Sequence, residues 1–254
     1  MFLFLFLFLM SNKILSGPQA PEANLDQPLY TPIKRRSFFM YAGATAGATA
    51  LVLAGCKKDN ENSPGVVSLG NGNLSVLNYA YALEQLEAAF YAQVVKTPAT
   101  DFQTNELAYF TQVAAHEAIH RDFLKAAIVN VAKGTPIQDL TPNFSSITFT
   151  SRASVLATAM AFEDLGVAAY NGAGKLISAT DPNGATYLTV AGKIVSVEAR
   201  HAAYVRDLIT PGSFAADNQV DSATGLDMSM TPTAVIAIAQ KYINQTLDAS
   251  SVGK

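Results

Sequence analysis

From Leu74 onward, apolar side chains recur every three or four residues, which places them on one face of a helix. The first such stretch predicts a helix over 74–95, with Leu77, Ala80, Glu84 and Tyr91 on its inner face. A second runs over 102–131, capped by Asp101 or Thr104, and turns Phe110, Val113, Glu117, His120, Leu124 and Ile128 inward. A third opens near Ser151 and aligns Leu156, Ala159, Glu163, Val167 and Tyr170. After the turn chemistry of Asp181-Pro182-Asn183-Gly184, a fourth continues to about residue 208. Its predicted stripe is Leu188, Ala191, Val195, Glu198, His201 or Ala202, and Val205. Thr231-Pro232 supplies an N-cap and a first-turn proline for a fifth, shorter helix through about residue 247. The connections inside each half are short, whereas 134–150 is long, carries two prolines and ends in β-branched residues suited to a brief extended segment. Two antiparallel hairpins joined by a crossover describe an all-α fold, a four-helix bundle with a short C-terminal helix.

The first 73 residues lack this pattern. Residues 1–10 are apolar but too short to span a bilayer, which takes about 20 residues as a helix, and read as a start-site artefact or extra leader. Residues 11–33 are polar, without apolar periodicity. Then come Arg35-Arg36-Ser37-Phe38-Phe39, an uncharged Ala/Gly/Thr/Leu stretch, and Leu53-Ala54-Gly55-Cys56. That order of parts resembles a twin-arginine export signal ending in a lipobox, in which cleavage precedes an acylated cysteine. The expected organisation is a leader over 1–55, lipidated Cys56 with a Gly/Asn-rich tether over 56–73, and the helical domain over 74–250. The expected location is the bacterial cell envelope, with the protein exported and held to the membrane by its lipid, facing the periplasm or the cell surface.

Composition narrows the chemistry. Half of the 254 residues are hydrophobic, enough for a sizeable core, and one cysteine excludes an internal disulfide or a Cys-rich metal module. The net charge of -3 becomes -5 once four cations and two anions leave with 1–55, which argues against nucleic acid as a partner.

Each of the four inner stripes is interrupted by a glutamate: Glu84, Glu117, Glu163 and Glu198. An unpaired carboxylate on a buried face costs several kcal/mol or takes up a proton, so each needs a partner. Glu117-Ala-Ile-His120 and Glu198-Ala-Arg-His201 place a carboxylate and an imidazole one turn apart on one face. Tyr91 and Tyr170 each follow a glutamate by seven residues, two turns on over the same face. Glu84 to Glu117 is 33 residues and Glu163 to Glu198 is 35, so the halves repeat as a pseudo-twofold bundle. With eight Glu in the chain, a given His has roughly a 3% chance of a Glu three before it, and two of three histidines have one. Two helices with one Glu each and two with Glu-x-x-His form the ligand set of a di-metal carboxylate site, suited to two Fe or two Mn ions.

The segment Asn78–Tyr91, with His116-Glu117-x-x-His120, Glu163, Glu198-x-x-His201 and the late Leu226-Asp-Met-Ser-Met-Thr-Pro, resembles the ferritin-like domain proteins of the desiccation-related type over residues 74–247. The resemblance implies a ferritin-like bundle in which Glu117 and Glu198 bridge two metals. Glu84 and Glu163 would be terminal ligands, and His120 and His201 would bind one metal each. It also implies that Tyr91 or Tyr170 holds a carboxylate or supplies an electron, and that the metals are oxidised together by O₂ or H₂O₂, as in iron oxidation or peroxide removal. A different class of function is a non-catalytic surface or stress-protective lipoprotein with a structural metal pair. The anchor and C-terminal extension argue against a closed storage cage, though not against a homodimer. His116-Glu117-x-x-His120 also matches the zinc-protease motif, but no downstream ligand follows at the required spacing, which leaves His116 at the rim. Glu87 is expected to pair with Arg200 or Arg152, Arg121-Asp122 and Arg206-Asp207 to form solvated ion pairs, and Met228 and Met230 to pack.

Overall fold

A computed structural model describes residues 65–254. The leader, Arg35-Arg36, Cys56 and the tether as far as residue 64 lie outside the described residues. Four long helices carry the domain: α1 (Gly72–Lys96), α2 (Glu106–Asn130), α3 (Arg152–Gly174) and α4 (Gly184–Ile209). α1 packs on α2 and α3 on α4, and α1 also meets α3. The expected all-α bundle of two hairpins and a crossover is therefore present. None of the described helices is long and apolar enough to cross a membrane.

The helix boundaries follow local chemistry. Ser151 caps α3 by accepting a hydrogen bond from Ser154 N. α2 begins later than expected. Asp101 accepts from Arg152 N at 2.7 Å and so serves the entry to α3, while Asn105 makes the turn into α2 with φ of 73°. Glu106 then reaches back, its Oε2 accepting from Gln103 N at 2.7 Å. The stripe of α4 is also corrected in its first half. Leu188 is 37% exposed, and the buried face is Tyr187, Ile194, Glu198, His201, Ala202 and Val205. Tyr187 carries a larger apolar surface than Leu188, and the helix turns the ring inward.

The crossover's extended pairing is a single antiparallel bridge between Pro142 and Ile243, with Asn143 N donating to Tyr242 O and Asn244 N to Thr141 O. Its backbone also finds partners in two amide side chains of α1. Asn78 accepts from Ile137 N at 3.0 Å and donates to Thr135 O, while Gln85 accepts from Leu140 N at 2.8 Å and donates to Gln138 O. Two turns of helix separate these residues, so the extended chain is held at intervals along α1 without a sheet.

The C-terminal region departs most from expectation. Helix α5 (Pro232–Ala239) has its Thr231 cap and first-turn proline, but ends early and passes through a 3₁₀ turn (Gln240–Tyr242). The Gln240 side chain bonds Ile243 O, Gln245 O and Leu247 N, which bends the chain into an extended strand. That strand, β2 (Thr246–Asp248), pairs in parallel with β1 (Val66–Ser68), in a stretch expected to be tether. On the approach to α5, Met230 N donates to Ala168 O, and a Cβ at Gly172 would lie 1.6 Å from Met230 O. Only glycine admits that crossing. Met230 packs against the core as expected, whereas Met228 is exposed.

Candidate metal centre

All four mid-helix glutamates are fully buried, at 0% exposure. They converge with both Glu-x-x-His histidines in two overlapping donor groups. Glu84, Glu117, His120 and Glu198 form one, and Glu117, Glu163, Glu198 and His201 the other, with the donor atoms of each within 4.8 Å of one another. Glu117 and Glu198 belong to both. Every metal ligand expected from the sequence is thus brought to one place.

The distances show the two halves nearly repeating. His120 Nδ1 lies 2.8 Å from Glu198 Oε1, 3.1 Å from Glu117 Oε2 and 3.6 Å from Glu84 Oε2. His201 Nδ1 lies 2.9 Å from Glu117 Oε1, 3.5 Å from Glu163 Oε2 and 3.7 Å from Glu198 Oε2. Proximity is not matched by hydrogen bonding. Glu84 Oε2, Glu117 Oε1, Glu163 Oε2, both oxygens of Glu198, and His201 Nδ1 have no hydrogen-bond partner despite full burial. These atoms all belong to the residues of the two donor groups. A buried carboxylate left in that state is costly, and a hard divalent cation coordinated by oxygen and imidazole nitrogen relieves it.

Electrostatics point the same way. Burial drives Glu84 and Glu163 above the usual carboxylate range, and neighbouring carboxylates add to the rise. Burial also disfavours charge on Glu198, but the imidazoles of His120 and His201 outweigh it and hold that group below the usual range. Burial opposes charge on both histidines, yet the surrounding carboxylates push each up to about 12. Two imidazolium protons therefore occupy the electrostatic place that cations would take.

Each tyrosine reaches across the bundle. Tyr91 on α1 donates to Glu163 on α3, and Tyr170 on α3 donates to Glu84 on α1 at 2.5 Å. The sequence spacing sets each tyrosine over the glutamate of its own helix. Because α1 and α3 lie side by side, the hydroxyl meets the glutamate opposite. The tyrosines thereby satisfy one oxygen of each carboxylate and leave the other turned toward the centre.

His116 lies outside both donor groups. Its Nδ1 is 3.0 Å from Nε2 of His201, and the two rings are nearly parallel with centroids 5.2 Å apart. The protease-like motif loses its first histidine to this contact. His116 orients His201, while Tyr109 on the same helix donates to His201 O at 3.2 Å.

Two expected ion pairs are replaced. Arg152 binds Glu106 through its Nε and Nη2, and Arg200 meets Ser196, so neither arginine reaches Glu87. Glu87 is 4% exposed and faces Gly166, where a Cβ would stand 3.1 Å from Glu87 Oε1. Burial pushes its carboxyl well above the ordinary range, and among the described residues no cation stands in for the expected partner. Glu87 and Gly166 each follow their glutamate by three residues, and that one-sided Gly was the available sequence signal. Arg206 pairs with Asp164 on α3 at 2.6 Å instead of with adjacent Asp207. Arg121 and Asp122 do form the expected exposed pair at 2.8 Å.

A comparison with curated proteins yields no match. The family model described as "Ferritin-like domain" matches residues 72–211, more than half of the chain. That interval begins with α1 and ends just beyond α4, so it contains both hairpins, the crossover and all six converging side chains. With its bundle, its repeated Glu-x-x-His helices and this match, the chain belongs to the ferritin-like domain family.

Proposed function

We propose that the domain holds two iron or two manganese ions and reacts with O₂ or H₂O₂. The observation that carries this is the pair of four-residue donor groups sharing Glu117 and Glu198. In this reading Glu117 and Glu198, common to both groups, would serve both positions, while Glu84 with His120 and Glu163 with His201 would each complete one. Four carboxylates offset the charge of two divalent ions. Tyr170 fixes Glu84 through Oε1 and Tyr91 fixes Glu163 likewise, so each of these carboxylates has one free oxygen and a set orientation. Either tyrosine also holds an O–H from which an electron and a proton can leave together. Two bound ferrous ions supply the electrons for the overall change 2 Fe(II) + O₂ + 2 H⁺ → 2 Fe(III) + H₂O₂.

Purified protein should contain close to two metal ions per chain, and added Fe(II) with O₂ should develop ferric absorbance. Unchanged metal content in both Glu117→Ala and His120→Ala would overturn the assignment.

We further propose that the protein is exported and anchored through Cys56, facing the periplasm or cell surface. The order Arg35-Arg36, apolar stretch, Leu53-Ala54-Gly55-Cys56 supports this. Metabolic labelling with a fatty-acid analogue should mark the wild-type chain and not Cys56→Ala. Labelling of both, or of neither, sinks the anchor.

A further inference from the structure

The internal repeat allows the two ends of the metal centre to be compared position by position. Setting Glu84 on Glu163 and Glu117 on Glu198 pairs Phe90 with Ala169, Phe162 with Leu83, Phe110 with Ala191 and Val94 with Ala173. Around the Tyr91–Glu163 bond the large members of these pairs fill the core. Phe90 packs edge-on against Tyr91 at 4.9 Å and Phe162 at 5.1 Å, and Tyr91 stacks on Phe110 at 6.0 Å. Around the Tyr170–Glu84 bond the small members stand instead, and a cavity of about 30 Å³ lies there. Leu83, Ala169, Ala173 and Ala191 line it together with Tyr170.

Space of this size admits one or two molecules as small as water, but a buried water needs two to four polar partners. The Tyr170 hydroxyl is already bonded to Glu84. The unpartnered hydroxyl of Tyr79, another wall residue, is a single group. The lining is otherwise apolar, and a space of this size and lining suits an apolar diatomic guest.

We propose that this cavity is a dioxygen site and that O₂ reaches the metal centre from the Glu84–Tyr170 side. This rests on the di-metal reading above. The two halves of the centre then differ in access although their donor atoms nearly repeat: one tyrosine borders the larger cavity and the other packs among phenylalanines. Hydrogen peroxide, which needs several hydrogen bonds, is not carried by this route.

Crystals of the protein pressurised with xenon provide a first test that needs no metal. Xenon should occupy the cavity and not the Phe90 cluster; absence of xenon, or ordered water in its place, overturns the proposal. Ala173→Val and Ala191→Phe then close the cavity with residue types that the fold already holds at the equivalent positions. Each should slow Fe(II) oxidation by O₂ severalfold while Fe(II) stoichiometry and the rate with H₂O₂ stay unchanged. An unchanged O₂ rate in both overturns the delivery route. Xenon bound to a protein that takes up neither iron nor manganese would sink the di-metal reading and leave the apolar cavity standing.

Discussion

Tyr170 on α3 and Glu84 on α1 are joined by a 2.5 Å hydrogen bond at the boundary between the metal centre and an apolar cavity. Removing the hydroxyl leaves a fully buried carboxylate oxygen without its donor, at a cost of about 1–3 kcal/mol. Tyr170→Phe should therefore lower the stability of the metal-free protein by about that amount, read by denaturant melts. Metal content should persist, because Glu84 Oε2 is not the atom that Tyr170 holds. A drop in stability no larger than that of a surface Tyr→Phe control would remove the tyrosine from its positioning role.

The two imidazoles dictate a pH dependence for the metal-free protein. His120 and His201 are raised in the fold from 6.5 to about 12. A group raised on folding contributes stability that is full below its unfolded value and is lost as pH rises through the folded one. Glu84, also raised, acts in the same direction at lower pH. The metal-free protein should lose stability as pH rises from about 6.5 toward 12, while metal affinity rises because binding displaces those protons. Thermal melts at pH 6 and pH 9, with and without Mn(II), read both trends; parallel trends in the two forms would contradict this account.

Glu87 and Gly166 share one space. A Cβ at position 166 stands 3.1 Å from Glu87 Oε1, so Gly166→Ala should crowd that carboxyl and forfeit the gain of up to about 1 kcal/mol that alanine otherwise brings to a helix interior. Shortening the opposing side chain should recover much of that gain. Glu87→Ala combined with Gly166→Ala should show a favourable coupling in a double-mutant cycle. Strict additivity would mean that the alanine clashes with something else.

The two arginines that follow the Glu-x-x-His motifs should behave differently. Arg206 and Asp164 are largely buried, and Arg206→Ala leaves an uncompensated carboxylate, costing about 3–5 kcal/mol. Arg121 and Asp122 lie at the surface, and Arg121→Ala should cost less than about 1 kcal/mol. Urea midpoints of the two variants compare them directly.

The helical period carried the bundle because burial on one face is a local property of the sequence, and the same period put Glu84, Glu117, Glu163 and Glu198 inside. Partner choice was less legible. The spacing of Tyr91 and Tyr170 gave the right face and left the glutamate across the bundle unassigned, since that depends on how α1 and α3 lie against each other. Glu87, one turn past Glu84, reads either as an extra ligand or, more simply, as a bundle-edge acid facing a cation. Its actual neighbour is the empty side of Gly166, which no property of Glu87 itself announces. Thr246–Asp248 reads as the end of a helix until Gln240 bends the chain, and its partner strand lies in a segment whose composition suggests a tether.

That strand pair sets an order on the making of the fold. Val66 and Thr246 meet from 180 positions apart, whereas each helical hairpin closes over a nine-residue connection, 97–105 or 175–183. Loop closure is the costly part of distant contacts, so the hairpins have the head start and the ladder comes late. The six side chains of the candidate centre all lie on the stretch from α1 to α4, and none waits on β2. That cluster can therefore assemble before the two ends of the domain are fastened to each other.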